Sequence, residues 1–210
     1  MADMHGGSVE DDASLAERIV RGAIRAYRLH PFHEVDAGTV AETCGVDRTV
    51  VDRLFPTWDG LLLVVYDRWL QLRGSRRSSV PRCTLEHVRM TLAEDVADPG
   101  LVRVLAGVVT LAASERDFAG FFRKRFEEYV EELTVGLQRD VDAGLETIGI
   151  PAHQAATQLL AVYEGLQLQM LVRPYLDVLV EYDRAVHTLR HGWREPEAVA
   201  WDVDEALVRG

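Results

Sequence analysis

The sequence is poor in the residues that cross-link small folds. Its 210 residues include two cysteines, Cys44 and Cys83, which are too few for a disulfide framework. A chain of this length can bury a hydrophobic core without disulfides or metal ions, so neither is needed for folding. Hydrophobic residues make up 48% and charged residues 27% of the chain, which excludes the collagen-like and intrinsically disordered classes.

Long apolar runs and a secretory leader are also missing. The longest apolar run, residues 104–113, is interrupted by Gly107 and Thr110, whereas a membrane helix needs roughly 18 to 20 residues. Residues 1–13 are acidic and contain no apolar stretch of the kind found in signal peptides. We therefore expect no membrane association and a cytoplasmic location, where both cysteines stay reduced.

Lysine is almost absent, and positive charge as a whole is scarce. Lys124 is the single lysine among 23 basic residues, which face 34 acidic ones, and the formal net charge is −11. Bulk attraction will not hold such a chain on DNA or on an anionic membrane. Residues 1–73 hold eight arginines and twelve acids. Contact with a polyanion would therefore need a local arginine patch, because phosphate neutralisation dominates nonspecific affinity for DNA.

The alternation of β-branched residues that marks strands is missing as well, whereas helix start and stop signals recur. We therefore predict an all-α fold. Ser14 and Glu17 have the spacing of a capping box, which predicts that the first helix begins at Ser14. Pro31 ends that helix, because a residue before proline is pushed out of the α region. Eight further helices are predicted at about 37–43, 48–55, 61–72, 84–97, 99–113, 115–143, 151–173 and 176–191.

A tight turn joins the second and third predicted helices. Gly45 can adopt the positive φ that ends one helix, and Asp47 can cap the next. Two short helices joined in this way form a candidate helix-turn-helix unit. The sequence thus predicts such a unit at the amino-terminal end.

A small, polar linker at residues 74–81 divides the chain into two predicted domains. They comprise a helix-turn-helix domain over 14–73 and a helical bundle over 82–192, with flexible tails at 1–13 and 193–210. The predicted helix 151–173 is apolar around most of its circumference, so it must be buried on more than one side. Pairing it and helix 176–191 with the same helices of a second copy would bury both faces in a homodimer.

Residues 14–72 resemble the DNA-binding domain of the TetR family of bacterial transcriptional regulators. The matching positions are Val40, Ala41, Gly45, Val46, Phe55, Pro56, Leu61 and Leu62. Residues 84–191 are similar in architecture to the family's ligand-binding and dimerisation domain. The resemblance implies a homodimer whose recognition helices enter successive major grooves of a double-stranded operator. It further implies that a small-molecule effector spreads these helices apart.

Five residues are expected to contact DNA: Thr39, Arg48, Thr49, Val50 and Arg53. An arginine fork can read guanine O6 and N7, and the methyl groups of threonine and valine can touch the thymine methyl. Asp52 could accept from cytosine N4 or pair with a neighbouring arginine. Four arginines of the first helix could follow a phosphate backbone or form a solvated face paired with Glu17: Arg18, Arg21, Arg25 and Arg28.

Three positions depart from the TetR pattern. Asp47 stands where the family commonly has serine or threonine, Asp52 where it has a phosphate-contacting tyrosine, and Trp58 where it has lysine. These replacements remove neutral donors or a cation and add two anions. They keep open an alternative function, that of an interaction protein of the same fold that has lost DNA binding and acts through a protein partner.

Aromatic and amphipathic residues are the candidates for an effector site. They are Tyr66, Trp69, Phe118, Phe122, Tyr163, Gln167 and Met170. A pocket with apolar walls and a few polar groups would suit a small apolar or aromatic molecule. The same residue types are also the ordinary content of a hydrophobic core.

No catalytic signature is present, so the sequence predicts neither an enzyme nor a bound cofactor. A helical-bundle enzyme would instead need ionisable groups that converge in a pocket. His187 and His191 have the i,i+4 spacing of a helical metal pair, but no third ligand converges on them. Histidines in a last turn are explained more simply by the helix dipole, so no metal site is predicted.

Overall fold

The computed structural model describes residues 6–74, 81–112 and 116–194, and all regular structure in these ranges is helical. The all-α prediction is therefore confirmed. The α-helices of the described ranges are α1 Gly6–Leu29, α2 Ala37–Cys44, α3 Arg48–Leu54, α4 Trp58–Gly74, α5 Thr84–Ala97, α6 Gly100–Ala112, α7 Arg116–Asp142, α8 Ala152–Val172 and α9 Val178–Arg194. A 3-10 turn, Phe32–Glu34, follows α1. The carboxyl-terminal tail expected over 193–210 was wrong at its start, because Trp193 and Arg194 belong to α9 and Trp193 is buried; the rest of it lies outside the described residues.

Helix α1 begins at Gly6, so the start predicted at Ser14 was wrong. No proline or glycine stands in residues 8–14, and a helix that has nucleated extends through such a stretch at little cost. Ser14 is consequently an exposed residue within the helix. Asp12, which was expected in a flexible tail, is instead carried on a helical scaffold.

The helix-turn-helix geometry agrees with the predicted turn. Asp36 caps α2 by accepting a hydrogen bond from the backbone N–H of Thr39 at 2.8 Å. Gly45 ends α2 in the left-handed region at φ 64°, where glycine carries no steric penalty. Asp47 then caps α3 through the N–H of Thr49 at 2.8 Å. Local chemistry at these capping positions therefore sets the turn between the two helices.

The first of two core clusters joins α1, α2, α3 and α4 to α6. Its largest side chain, Trp69 of α4, is fully buried. The guanidinium of Arg28 lies 5.1 Å from the Trp69 ring centroid and pairs with Asp98 at 2.6 Å, just before α6. The helix-turn-helix unit is thus packed directly onto α6.

The second core cluster is built by α5, α7, α8 and α9. The Tyr182 hydroxyl of α9 donates to the backbone carbonyl of Leu85 in α5 at 2.8 Å. At the other end of α9, the Trp193 indole N–H donates to Gln158 of α8 at 2.7 Å. These two polar anchors fix α9 against the bundle while its apolar face is buried.

Candidate DNA interface and effector pocket

Helix α3 presents four exposed side chains on one side, and we call this set the DNA-reading surface: Arg48, Thr49, Asp52 and Arg53. Val51 faces inward and is 1% exposed. Val50, which was also expected to contact DNA, is half-buried and packs against the first core cluster. The outward surface of α3 is therefore polar and holds two arginines and one aspartate.

Both threonines that were expected to contact DNA already donate their hydroxyl hydrogens within the protein. The Thr39 hydroxyl lies 3.1 Å from the Glu34 carbonyl and 3.0 Å from Asp36 Oδ1. The Thr49 hydroxyl donates to Asp47 Oδ1 at 2.6 Å. The backbone N–H and the hydroxyl of Thr39 lower the pKa of Asp36, and the hydroxyl and backbone N–H of Thr49 lower the pKa of Asp47, because hydrogen bonds stabilise the charged carboxylates. Each threonine hydroxyl can still accept a hydrogen bond, and each side chain still presents its methyl group.

Both arginines of the DNA-reading surface lie beside carboxylates. Arg48 is 3.6 Å from Asp52, and both side chains are more than half exposed, so the contact is a loose ion pair. Arg53 donates two hydrogen bonds of 2.9 Å to the two oxygens of Asp12. The Arg53 guanidinium lowers the pKa of Asp12 through hydrogen bonding. Sequence reasoning foresaw the Asp52 pair as one option and missed Asp12, because it did not extend α1.

The arginine stripe of α1 divides into two groups. Arg21 pairs with Glu17 at 2.8 Å, and Glu17 also forms an ion pair with Arg68 of α4 at 2.7 Å. Arg28 is committed to Asp98. Arg18 and Arg25 are exposed and form no ion pair with any side chain that the structure describes. The structure thus leaves two cations of the stripe available to an external phosphate.

A cavity of about 280 Å³ opens between α4, α5, α6, α7 and α8, and we call it the effector pocket. Four of the predicted effector residues line it: Tyr66, Phe122, Tyr163 and Gln167. Phe126 and Tyr129 add two more aromatic rings. Phe122 lies 6.3 Å from Tyr66 and 6.4 Å from Phe126 between ring centroids, in tilted arrangements. Tyr66, Phe122 and Phe126 are therefore neighbours in the pocket lining.

Two predicted effector residues do not line the pocket. Trp69 is fully buried in the first core cluster, where its indole N–H lies 3.3 Å from Asp98. Met170 is partly buried against the second core cluster. Both serve packing, the alternative that the sequence left open. The side chain of Phe118 lies outside those that the structure describes.

The pocket also contains carboxylates that sequence reasoning missed. Asp95 of α5 is fully buried and accepts hydrogen bonds from the Tyr163 hydroxyl at 2.8 Å and Gln167 Nε2 at 2.9 Å. It continues the buried row of Leu85, Val88 and Leu92 at helical spacing. The sequence signal that could have identified Asp95 as a buried residue was therefore its position in line with an apolar stripe.

Glu164 of α8 and Glu132 of α7 line the same pocket. Neither side chain forms an ion pair or hydrogen bond with another group within residues 6–74, 81–112 and 116–194. Burial raises the pKa of Glu164, since the charged form loses hydration. Arg125 also lines the pocket, but it is paired with Glu128 at 2.9 Å and with Asp67 at 3.2 Å. Among the described residues that line the pocket, Glu164 and Glu132 are thus carboxylates without an ion pair.

The carboxyl-terminal helices carry an exposed apolar face. Leu168 and Val172 of α8 are 56% and 76% exposed, and Val180 of α9 is 40% exposed. A groove beside them is lined by residues of α8 and α9 that include Ala161, Val162, Gly165, Leu176 and Ala185. In a single chain, α8 is thus covered on one side and open on the other.

The part of the chain that the structure describes includes both histidines with the i,i+4 spacing of a metal pair. His187 and His191 are both exposed, and no group of three or more metal-ligating side chains occurs in that part of the chain. None of its helices is long and apolar enough to cross a membrane.

Comparison with known proteins adds a family and a fold. Residues 84–193 match the family model of the BetI-type transcriptional repressor carboxyl-terminal domain, a TetR-family domain. A TetR transcription regulator from Haloarcula marismortui aligns with a TM-score of 0.72 at 18% identity, covering 86% of this chain and 98% of that one. No curated protein matches the sequence.

Two further solved structures share the fold. A transcriptional regulator from Rhodococcus sp. Rha1 aligns with a TM-score of 0.67 at 23% identity, over 85% of this chain and 97% of that one. A regulator from Saccharomonospora viridis, solved in complex with choline, gives 0.67 at 17% identity, over 87% and 97%. The matched family and these structures are transcriptional regulators rather than enzymes.

Proposed function

The chain belongs to the TetR family of transcriptional regulators, and we propose that it is a homodimeric repressor which a small molecule releases from its operator. The helix-turn-helix unit would bind double-stranded DNA through α3, and the effector pocket would bind the releasing molecule. We propose further that this molecule combines an apolar or aromatic body with a positive charge.

The position of the effector pocket carries this proposal. Tyr66 and Leu70 of α4 and Leu101 and Leu105 of α6 line the pocket. The same two helices form the first core cluster with α1, α2 and α3. A ligand that fits one arrangement of α4 and α6 better than another would shift the helix-turn-helix unit along with them. Differential affinity for the two arrangements is the thermodynamic requirement for regulation.

The lining of the pocket supports the choice of effector. Five aromatic rings offer faces to a cation: Tyr66, Phe122, Phe126, Tyr129 and Tyr163. Glu164 and Glu132 add negative charge to the lining. A cationic ligand would stabilise the charged form of the partly buried Glu164 carboxylate. The Saccharomonospora viridis regulator binds choline, which supports the view that a domain of this fold can hold a small cation.

The exposed face of α8 and α9 supports a homodimer. Leu168, Val172 and Val180 would be buried against the same residues of a second copy across a twofold axis. Small residues at Ala161 and Gly165 would allow the two backbones to approach closely. Two copies would then present two α3 helices, as an operator with two half-sites requires.

The charge of the DNA-reading surface favours one alternative. Arg53 and Arg48 both lie beside carboxylates, so the chain could instead be an interaction protein that binds another protein through this end. Exposed ion pairs of this kind are weak, however, and a duplex can replace them. We therefore place DNA binding first.

The test measures binding of the purified protein to a fluorescent duplex from its own promoter region at low salt, against a shuffled duplex of equal length. We expect preferential binding of the promoter, and release by choline or benzyltrimethylammonium. The uncharged alcohol in which carbon replaces the nitrogen of choline should release far less. Failure to bind any promoter fragment would overturn the repressor proposal in favour of the interaction protein. Equal release by choline and its uncharged isostere would overturn the cationic effector alone.

A further inference from the structure

Arg53, at the end of the DNA-reading surface, is held by a residue from a distant part of the chain. Asp12 lies 41 positions earlier, in the part of α1 that precedes Ser14. Its two oxygens accept two hydrogen bonds of 2.9 Å from the two terminal nitrogens of Arg53. The side chains are 54% and 41% exposed, so this pair forms at the protein surface.

The geometry of this pair matches that of an arginine bound to DNA. A guanidinium fork presents two parallel N–H donors, and a carboxylate, a phosphate or the O6 and N7 edge of guanine accepts them in the same planar arrangement. Asp12 accepts from the Nη1 and Nη2 edge of Arg53, one of the two edges through which a guanidinium makes such a paired contact. Asp12 therefore occupies part of the donor set that DNA could use and neutralises the charge of Arg53.

Among the side chains that the structure describes, no second carboxylate pairs with Arg53. Asp52, the adjacent acid on α3, lies beside Arg48 at 3.6 Å instead, and Asp47 accepts from the backbone and hydroxyl of Thr49. Asp12 is the ion-pair partner of Arg53 among the residues that the structure describes. Neutralising Asp12 should thus free Arg53 without recruiting another acid of this surface.

We propose that Asp12 is an intramolecular competitor of DNA: it holds Arg53 in the free protein, and a duplex must displace it to gain the Arg53 contact. This inference rests on the proposed DNA binding and goes beyond it, because it assigns an autoinhibitory role to the amino-terminal extension of α1. The displaced Asp12 carboxylate also takes up a cation from solution. Fewer ions are then released overall, and the salt dependence of binding becomes shallower.

The experiment is a double-mutant cycle on the full chain. Binding to the promoter duplex and to a shuffled duplex is measured by fluorescence anisotropy at several salt concentrations. The proteins are the wild type, Asp12→Asn, Arg53→Gln and the double variant. Asparagine keeps the shape of Asp12 and removes its charge. The Arg53→Gln background removes the competition but retains any long-range repulsion between residue 12 and the duplex.

We expect Asp12→Asn to tighten binding at low salt by about two- to fivefold, the range of an exposed ion pair. The plot of log affinity against log salt should become steeper by up to about one unit. In the Arg53→Gln background, the same change should alter affinity by less than half as much on a logarithmic scale. Circular dichroism of all four proteins checks that α1 remains helical.

The outcomes separate this inference from the proposed function. Binding by the wild type with no gain from Asp12→Asn would overturn the competitor role and leave the repressor proposal intact. An equal gain in both backgrounds would also overturn it, because long-range charge would then explain the effect. Binding by Asp12→Asn but not by the wild type would support the competitor role and overturn the proposal that the wild-type protein is a repressor. No binding by either protein would overturn both.

Discussion

The DNA-reading surface and the effector pocket both contain carboxylates, but the two regions satisfy them differently. Asp52 of the DNA-reading surface is exposed, Asp12 beside this surface is partly exposed, and each faces an arginine. In the pocket, Asp95 is fully buried among hydrogen-bond donors, and Glu164 is partly buried without an ion pair among the described residues. The first region holds ion pairs that can exchange partners, and the second holds, at Glu164, a negative charge that a cationic ligand could neutralise.

This difference follows from the access of water to the charged groups, which is greater at the DNA-reading surface than in the pocket. An exposed ion pair gains little over two hydrated ions, so its arginine can pass to a phosphate at little cost. A buried carboxylate has lost its hydration, so a missing partner is costly and an arriving cation is strongly favoured. The exposed region is therefore suited to reversible exchange of partners, whereas the buried region is suited to selecting a ligand by charge.

The largest expected effect tests whether the arginines of the exposed surface bind DNA. We expect the Arg48→Ala/Arg53→Ala double variant to lose more than about 30-fold in promoter affinity, because each arginine can make a bidentate contact with a base or phosphate. Fluorescence anisotropy measures the loss. The control is Arg123→Ala/Arg184→Ala, which removes two exposed charges from α7 and α9. If the first variant keeps the promoter affinity of the wild type, α3 does not contact DNA through these two arginines.

The next effect contrasts the two regions in stability. Asp95→Ala removes the acceptor of the Tyr163 hydroxyl and the Gln167 amide, so it should lower the free energy of unfolding by about 2 kcal/mol or more. Asp52→Ala, at the exposed surface, should change it by less than about 0.5 kcal/mol. Urea unfolding followed by circular dichroism gives both values. Similar losses in the two variants would contradict the contrast between buried and exposed acids.

The sequence predicted one of these regions better than the other. Capping residues act over three or four positions, so Asp36, Gly45 and Asp47 were sufficient to predict α2 and α3. Helix α5 was placed at 84–97 and is found at Thr84–Ala97. The Arg53–Asp12 pair joins residues 41 positions apart. The sequence did not predict it, because the apparent capping box at Ser14 placed the start of α1 after Asp12.

The sequence predicted some aromatic residues of the pocket but not its acids, again because tertiary packing decides which side chains line it. Aromatic residues such as Tyr66 and Phe122 stood out by composition, and both line the cavity. Trp69 looked the same in sequence but does not line the cavity, because the side of α4 that meets the pocket is set by tertiary packing. Acids on helices are usually solvated, so Asp95 and Glu164 drew no attention.

A smaller effect tests the charge preference of the pocket. Glu164→Gln keeps the shape of the side chain and removes its charge, so affinity for benzyltrimethylammonium should fall about tenfold, as expected for a lost partly buried ion pair of about 1.4 kcal/mol. Isothermal titration calorimetry measures the affinity. Glu131→Gln changes the same charge at an exposed site on α7 outside the pocket and should have no effect. Equal losses in both variants would point to overall charge rather than to the pocket.

The smallest effect is a dependence on pH that Glu164 alone should cause. Burial raises its pKa from the ordinary 4.5, so over the interval above pH 4.5 the folded protein retains a proton that the unfolded chain has lost. The contribution of Glu164 to the stability of the ligand-free protein should therefore decline as pH rises through this interval. Cation affinity should increase in the same direction, by part of the tenfold expected for full ionisation, because the carboxylate becomes charged.

Glu164→Gln isolates this contribution, because glutamine resembles the protonated acid and does not titrate. The difference in unfolding free energy between wild type and variant should therefore become less favourable to the wild type with rising pH, while the difference in cation affinity becomes more favourable to it. Paired urea titrations and calorimetry across pH 4.5 to 7 provide both curves. If the two differences stay constant over that interval, Glu164 is hydrated like the exposed acids of the DNA-reading surface, and the distinction between the two regions no longer extends to this residue.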